Sequence, residues 1–273
     1  MHEVPKPGRN GKPRQSIISF ISELFAGLAM DHGKSAAKSS TVHFQIKKQK
    51  EFNSNSFFKP NIILDGFDEL GRYYVIMQYV NGINFYDYVD SNSFTQSKKI
   101  LTSLVNNIVD DFSNLKDSDV LVIEEKIKSL KSKIHGFDDI FEYLIDNIPT
   151  KLPINNTHGD LTFENIIIEE DQSIYLIDFL DSFVETPYID LAKLNQEFDL
   201  LWSIRNKEIT NNLIIKYNYL KEIYLALIET DKIDKKILDF FYIINLLRIL
   251  PYVGESDKQL VTKKLNEWKE KLQ

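Results

Sequence analysis

The chain has 273 residues, contains no cysteine and carries a formal net charge of −7 at pH 7. This length allows one or two domains with a sizeable core, and the lack of cysteine excludes disulfides and thiolate metal sites. The acidic balance argues against a nucleic-acid-binding protein, and no apolar run in the sequence is long enough to span a membrane. We therefore expect a globular cytoplasmic protein, with no nucleic-acid or membrane partner, whose charge would suit a cationic or neutral small substrate.

The first 60 residues show the least regular pattern. Residues 16–30 have apolar side chains at helical spacing, but their first half is equally typical of a strand. Residues 42–52 also show helical spacing and lie ahead of Pro60, which favours a helix there. The sequence therefore leaves two arrangements open for this part of the chain.

From residue 61 onward the pattern is clearer. Residues 61–67 and 73–80 are rich in β-branched and aromatic residues, and the polar stretch 68–72 between them predicts a turn. Beyond Gly82, apolar residues recur at helical spacing, and prolines end several of the runs. The predicted helices cover residues 94–115, 120–134, 137–148, 193–204, 211–229, 234–250 and 256–272.

Two short β-rich runs between Asn165 and Asp178 enclose a polar turn at 169–173, which predicts a β-hairpin. Because a hairpin brings its open ends together, we expect Asn165 and Asp178 to lie side by side. Asp160 precedes Asn165 by five residues on the incoming loop. Oxygen-bearing side chains of this kind are the ligands that Mg²⁺ prefers, usually together with phosphates and water. A further carboxylate near such a metal can accept the proton of an attacking hydroxyl.

These residues belong to three motifs that follow one another along the chain. They are His158-Gly159-Asp160-Leu161 with Asn165, then Ile177-Asp178-Phe179, then Tyr188-Ile189-Asp190-Leu191-Ala192. Together they resemble the catalytic and metal-binding loops of the aminoglycoside phosphotransferase and choline kinase group, the small-molecule relatives of protein kinases. Gly159 stands where protein kinases usually have an arginine, which favours the small-molecule branch.

The resemblance implies a role for each polar residue of the motifs. Asp160 would be the catalytic base, and Asn165 and Asp178 would hold Mg²⁺ against the phosphates of ATP. His158 and Asp190 would brace the catalytic loop through hydrogen bonds. The cofactor implied is therefore Mg²⁺, with ATP as co-substrate.

The same resemblance implies an α+β, protein-kinase-like bilobal fold. A small β-rich N-lobe, shortened or divergent, would span residues 1–82 and cover the nucleotide. A larger, mainly α-helical C-lobe with the embedded catalytic hairpin would span residues 83–273 and bind the acceptor. The junction 77–82 resembles the hinge of this kinase group, in which the backbone of Tyr79 and Val80 would pair with the adenine edge.

The expected N-lobe shows neither a clear glycine-rich loop nor a clear lysine for the nucleotide phosphates. In one alignment Lys6 is that lysine and Glu23 is its partner on a helix. In the other alignment residues 42–52 form the helix, and the lysine lies upstream, at Lys34 or Lys38. Both alignments depart from the family pattern, and they imply an N-lobe that is shortened, divergent or missing its first strands.

We therefore predict an ATP-dependent phosphotransferase, with GTP as an open alternative, that acts on a hydroxyl of a small molecule. The acceptor would be an amino alcohol, a sugar or saccharide precursor, or an aminoglycoside. Glu197 and Trp202 are candidate acceptor-binding residues, because a carboxylate and an aromatic ring both attract an amine. The unclear N-lobe motivates an alternative, a kinase-fold protein with weak or no catalysis that binds nucleotide or a partner.

Overall fold

The computed structural model describes residues 35–52, 54, 57–68 and 72–272, with side chains from residue 43 to residue 271. Lys6, Glu23 and Lys34 lie outside these residues, and so does the side chain of Lys38. The first helix in the described part of the chain, α1, covers Ser35–Glu51 and so includes most of the helix that the second alignment requires.

The chain divides into two compact units. One comprises residues 1–42 and 61–79, and the other comprises residues 43–60 and 80–273. The change of unit after residue 79 lies close to the expected lobe boundary at residue 82. The larger unit also takes in residues 43–60, which the sequence analysis placed in the N-lobe.

In the smaller unit, the described residues after 60 form an antiparallel hairpin. Strand β1 (Ile62–Phe67) pairs with strand β2 (Tyr73–Met77). The Asp68 amide, after β1, donates to the carbonyl of Arg72, before β2, over 2.9 Å. This hairpin agrees with the two strands predicted from the sequence.

Helices dominate the described part of the larger unit. They are residues 43–51 of α1, then α2 (Phe85–Ser91), α3 (Phe94–Asp110), α4 (Val120–Lys131), α5 (Asp138–Asp146), α6 (Pro187–Leu200), α7 (Asn211–Ile228), α8 (Lys235–Ile249) and α9 (Glu255–Leu272). The strands are β3 (Gly82–Asn84), β4 (Leu115–Asp117), β5 (Lys151–Pro153), β6 (Ile166–Glu169) and β7 (Ile174–Leu176). None of the helices described is both long and apolar enough to cross a membrane.

The hairpin predicted between Asn165 and Asp178 is present, and it belongs to a three-stranded antiparallel sheet. Strand β6 lies in the middle, with β7 on one side and β3 on the other. At Gly82 the backbones come so close that an added Cβ would lie 2.5 Å from the Ile168 carbonyl oxygen. The sequence analysis predicted no strand after residue 80, whereas in the structure Gly82 begins β3, because glycine tolerates that close approach.

Helix α6 lies at the centre of the larger unit. It begins at Pro187, six residues earlier than predicted, because proline suits the first position of a helix. It ends where Leu201 adopts a left-handed conformation with φ of 49°. Almost every α6 side chain is buried, and the helix packs against α3, α7 and above all α8. The third sequence motif therefore lies on a helix that the surrounding core holds firmly in place.

A buried lysine on α7 ties that helix to the end of α2. Lys216 Nζ donates to the carbonyl oxygens of Val89, Asp90 and Asn92 over 2.8, 2.7 and 2.8 Å. We expect Lys216→Met to lower the free energy of unfolding by roughly 2–4 kcal/mol, because bonds to a charged donor are lost and the carbonyls stay buried. Urea unfolding followed by circular dichroism measures this change.

A matched control for this prediction is Lys235→Met on the exposed surface. Lys235 makes a 3.0 Å ion pair with Glu229, and both side chains are mostly exposed. Exposed pairs of this kind contribute about 0–1 kcal/mol. Equal effects of the two substitutions would contradict the role assigned to Lys216.

Candidate active site

The loop before β6 is shaped by a glycine in a conformation that other residues rarely adopt. Gly159 has φ of 87°, and an added Cβ would lie 2.2 Å from the Leu180 carbonyl oxygen. The Leu180 amide in turn donates to the His158 carbonyl over 3.0 Å. The first motif and the residues after the second motif are therefore in direct backbone contact, which requires glycine at position 159.

The Asp190 carboxylate holds the same loop from the side of α6. Its two oxygens accept hydrogen bonds from the backbone amides of His158 and Gly159, each over 2.8 Å. Burial raises the pKa of Asp190 to about 6, while these two bonds act in the opposite direction. Because both oxygens of Asp190 accept bonds from the backbone, the contacts of this carboxylate indicate a structural role.

The His158 ring is buried and contacts backbone at both nitrogens. Its Nε2 lies 2.6 Å from the Ile177 carbonyl oxygen, and its Nδ1 accepts from the Asp160 amide over 3.2 Å. Burial lowers the pKa of His158 to about 4, so the ring is neutral at physiological pH. A neutral ring with Nε2 protonated satisfies both contacts. It thereby links the loop before β6 to Ile177, which follows β7.

Asp160 forms an ion pair with a lysine that the sequence analysis did not single out. Lys193 Nζ lies 2.9 Å from Asp160 Oδ1, and the lysine side chain is almost wholly buried. Burial by itself would raise the pKa of Asp160, but the charge and hydrogen bond of Lys193 outweigh it, helped by smaller effects of His158 and Arg248. The pKa therefore lies below its usual value, and the carboxylate is ionised at neutral pH.

Helical spacing gives a sequence signal for Lys193 that the motif comparison overlooked. Lys193 follows Asp190 by three residues, so the two side chains share one face of α6. Asp190 accepts from the backbone amides of His158 and Gly159, and Lys193 reaches the carboxylate of the next loop residue, Asp160. A charged residue three positions after the motif aspartate was therefore a candidate for contact with Asp160.

The structure brings the predicted base, Asp160, and the two predicted metal ligands, Asn165 and Asp178, to one end of the hairpin. Asn165 Nδ2 donates to the Asp160 carbonyl over 2.9 Å and lies 3.5 Å from Asp160 Oδ2, which leaves its amide oxygen unengaged by these contacts. The Ile177 amide donates to the Asn165 carbonyl over 3.0 Å, which places Asp178 beside Asn165. The expected proximity of Asn165 and Asp178 at the open end follows from this pairing.

Asp178 has an uncommon backbone conformation. Its φ of 58° is left-handed, a region that residues with a side chain seldom occupy, although aspartate does so more readily than most. Desolvation raises the pKa of Asp178, and the negative charge of Asp160 raises it further. Two carboxylates that repel one another would both be stabilised by a bound cation.

These residues fit a magnesium ion by their chemistry. Asn165 and Asp178 provide hard oxygen donors, and Mg²⁺ is usually held by one or two carboxylates with phosphates and water completing its shell. In the described part of the chain, no group of three or more histidine, aspartate or glutamate side chains is arranged to hold a metal. The two candidate ligands are an amide oxygen and one carboxylate.

A second lysine unrecognised in the sequence lies on α1. Lys48 Nζ donates to the Leu180 carbonyl over 2.8 Å and to Ser182 Oγ over 3.2 Å, and it forms a 2.8 Å ion pair with Glu185. Glu185 Oε2 also accepts from Thr157 Oγ1 over 2.8 Å, directly before the first motif. Lys48 thus connects α1 to the residue before the first motif and to the segment between the second and third motifs, whereas the sequence analysis placed it only within the predicted helix 42–52.

The other predicted site residues lie elsewhere. Tyr79 is exposed and is the last residue of the smaller unit, and Val80 belongs to the larger unit. Their pairing with adenine stays a prediction. Glu197 is fully buried and accepts from the Phe163 amide, from the Ser203 amide and from Ser203 Oγ. These contacts use both of its oxygens within the protein interior.

Trp202, the second candidate acceptor residue, has an aromatic face already occupied. The Arg205 guanidinium lies 3.9 Å from the centre of the Trp202 ring, and Arg205 Nε is 3.2 Å from Asp257. An acceptor-binding role for Glu197 or Trp202 stays a prediction, and a cation that stacks on Trp202 would have to displace Arg205.

Known proteins resemble this chain in its motif region and in its fold. Residues 114–206 match the model of the phosphotransferase enzyme family APH. Glucosamine kinase in complex with glucosamine, ADP and inorganic phosphate superposes with a TM-score of 0.55 at 12% identity, over 85% of this chain and 74% of that chain. A comparison with curated protein sequences gave no match.

An aminoglycoside phosphotransferase gives a similar superposition. The apo form of a thermostable mutant of APH(4)-Ia has a TM-score of 0.54 at 12% identity, over 82% of both chains. A ternary complex of a thermostable mutant of that enzyme with ADP and hygromycin B has a TM-score of 0.51 at 11% identity, over 82% of this chain and 81% of that chain. The predicted α+β kinase-like fold and the resemblance to the aminoglycoside phosphotransferase group are thus confirmed.

Proposed function

We propose that the protein is a small-molecule kinase that transfers the γ-phosphoryl group of ATP to a hydroxyl group of its acceptor. The observation that carries this proposal is the arrangement of Asp160, Asn165 and Asp178 at the open end of the β6–β7 hairpin. The match of residues 114–206 to a phosphotransferase family supports it.

In the proposed reaction the acceptor oxygen attacks the γ-phosphorus, and the bond from that phosphorus to the bridging oxygen of ADP breaks. The proton of the acceptor hydroxyl passes to the Asp160 carboxylate. Lys193 holds this carboxylate in place and keeps it ionised until the proton arrives. Proper placement of such a base contributes about 10²–10⁴-fold to the rate.

Asn165 and Asp178 are proposed to hold Mg²⁺, which neutralises the charge of the nucleotide phosphates when bound. The left-handed backbone of Asp178 and the pinned amide nitrogen of Asn165 both orient an oxygen in advance. Preorganised groups of this kind stabilise a transition state without reorganising during the reaction.

Asp178→Asn tests this assignment directly. We expect the variant to lose the rise in melting temperature that Mg-ATP produces in the wild-type protein, because one carboxylate ligand is missing. The apparent affinity for Mg-ATP should fall by about 100-fold. Thermal-shift titration with ATP, with and without Mg²⁺, measures both quantities.

Asp171→Asn is the matched control for this experiment. Asp171 lies exposed in the turn of the same hairpin and accepts from the Ser173 amide over 2.8 Å. This substitution should leave the Mg-ATP shift unchanged. If wild-type protein binds Mg-ATP yet phosphorylates no acceptor in a panel of amines, sugars and sugar derivatives, the protein is a nucleotide-binding member of the fold with weak or no catalysis.

A further inference from the structure

The ammonium group of Lys48 lies between two segments of the candidate active site, and its side chain is mostly buried. Its Nζ donates to the Leu180 carbonyl over 2.8 Å and to Ser182 Oγ over 3.2 Å. It also lies 3.5 Å from Thr157 Oγ1 and forms a 2.8 Å ion pair with Glu185. An ammonium group has three N–H donors, and four acceptors surround this one. These contacts give Lys48 a role within the protein and not as a ligand of a nucleotide phosphate.

Glu185 extends the contact of Lys48 to the loop that carries Asp160. Glu185 Oε1 accepts from Lys48 Nζ, while Oε2 accepts from the Thr157 amide over 3.3 Å and from Thr157 Oγ1 over 2.8 Å. Thr157 lies only three residues before Asp160. The ion pair of Lys48 and Glu185 therefore holds the start of the loop that leads to the proposed base.

The other end of the contact is the Leu180 peptide, which is bound on both sides. Its amide donates to the His158 carbonyl over 3.0 Å, and its carbonyl accepts from Lys48 over 2.8 Å. Asp178, a proposed metal ligand, lies two residues earlier. Loss of the ammonium group would remove the second bond and leave the first, so the segment after Asp178 would loosen without detaching from the loop.

Helix α1 also has apolar contacts that do not involve Lys48. Phe52, directly after the helix, packs on Phe179 with ring centres 4.9 Å apart, and Phe179 lies 4.5 Å from the centre of the His158 ring. Ile46 and Phe52 are both buried. An apolar side chain of similar length at position 48 would therefore leave the packing of the helix in place.

We propose that Lys48 is a positioning residue that fixes the separation of Asp160 and Asp178. It does so through its contacts with Leu180 and Glu185. This inference rests on the proposed kinase function and adds to it a residue from outside the three motifs. Because the reaction needs both carboxylates at once, a change in their separation lowers the rate although neither group is removed. A misplacement of about 1 Å can lower a rate by about 100-fold.

The test compares Lys48→Met with Lys47→Met, in Mg-ATP and with the acceptor that the wild-type protein uses best. Methionine keeps an apolar stem but has neither the charge nor the donors of lysine. Lys47 lies on the same helix, is exposed and makes only a 3.9 Å pair with Glu51. We expect kcat of Lys48→Met to fall by about 10- to 100-fold, as for other residues that orient metal ligands. KM for the acceptor should stay unchanged, and Lys47→Met should have the kcat of the wild-type protein.

Hydrogen exchange of the metal-free protein gives a readout that does not depend on turnover. In Lys48→Met the amides of residues 157–160 and 178–185 should exchange faster than in the wild-type protein, while those of helices α7 and α8 should not change. Lys48→Arg should keep part of the wild-type kcat, because charge and donors remain. Glu185→Gln should lower kcat, since its single oxygen cannot serve both Lys48 and Thr157.

Each unfavourable outcome has its own meaning. Wild-type kcat in Lys48→Met would overturn the inference while leaving the kinase function intact. Faster exchange throughout the larger unit would also overturn it, because Lys48 would then support only the stability of the whole unit. Absence of phosphoryl transfer by the wild-type protein would instead count against the proposed function. Should Lys48→Met fail to fold, the same two measurements on Glu185→Gln decide the proposal.

Discussion

Replacing Asp160 with asparagine is expected to lower kcat by about 10²–10⁴-fold, because the amide cannot take the proton of the acceptor hydroxyl. Binding of Mg-ATP should persist, since Asn165 and Asp178 remain. The asparagine side-chain oxygen still accepts a hydrogen bond from Lys193 Nζ, so this buried lysine keeps a partner. Steady-state kinetics and a Mg-ATP thermal shift on the same preparation measure both effects.

The pH profile adds a second readout for Asp160. Its pKa lies below the usual range of an aspartate, since Lys193 and nearby charges outweigh desolvation. A group with a lowered pKa is ionised above that value and is protonated only as the pH falls through it. Activity of the wild-type protein should therefore show no acidic decline from Asp160 at or above the usual aspartate pKa. An Asp160→Asn variant with wild-type kcat would remove Asp160 from the mechanism.

Gly159→Ala should disrupt the site severely, although the substitution adds only one methyl group. The left-handed backbone alone costs an alanine about 1–2 kcal/mol. The new Cβ would also lie 2.2 Å from the Leu180 carbonyl and 2.6 Å from Ser182 Oγ, so the loop would have to move. We expect a total loss of roughly 3–5 kcal/mol in the free energy of unfolding and activity below detection. Chemical denaturation and the kinase assay measure the two effects.

Gly136 provides an unusually close control for that experiment. It has the same φ of 87°, but an added Cβ there would meet no atom within 4 Å. Gly136→Ala should therefore lower the free energy of unfolding only by the cost of the left-handed backbone, about 1–2 kcal/mol. The difference between the two variants isolates the clash with Leu180 and Ser182. If both variants lose the same stability, the close approach at Gly159 does not matter.

The parts of the fold that depend on local pattern were predictable. The β6–β7 hairpin follows from two β-rich runs around a polar turn, and both strands lie where the sequence placed them. Helices α3 to α5 and α7 to α9 follow from apolar spacing, and their ends differ from the prediction by a few residues. Helix α2 was missed because Phe85–Ser91 is short and gives little periodicity to read.

The catalytic loop was predictable in its residues but not in its electrostatics. Motif spacing located Asp160, Asn165 and Asp178, because a hairpin fixes which residues meet at its open end. Lys193 lies on α6 and Lys48 on α1, and only tertiary packing decides that they contact this part of the chain.

The contacts of Lys48 also bear on how the catalytic loop becomes ordered. They join residues separated by 109 to 137 positions in the chain. Contacts between such distant segments form only after a large loop has closed, and folds that depend on them fold more slowly. Helix α1 is synthesised long before residues 180–185, so the catalytic stretch cannot reach its final geometry until most of the chain has been made. The loop that carries Asp160 is therefore expected to be among the last parts of the larger unit to become ordered. A substitution in α1 would alter the position of this loop even though no residue of the three motifs is changed.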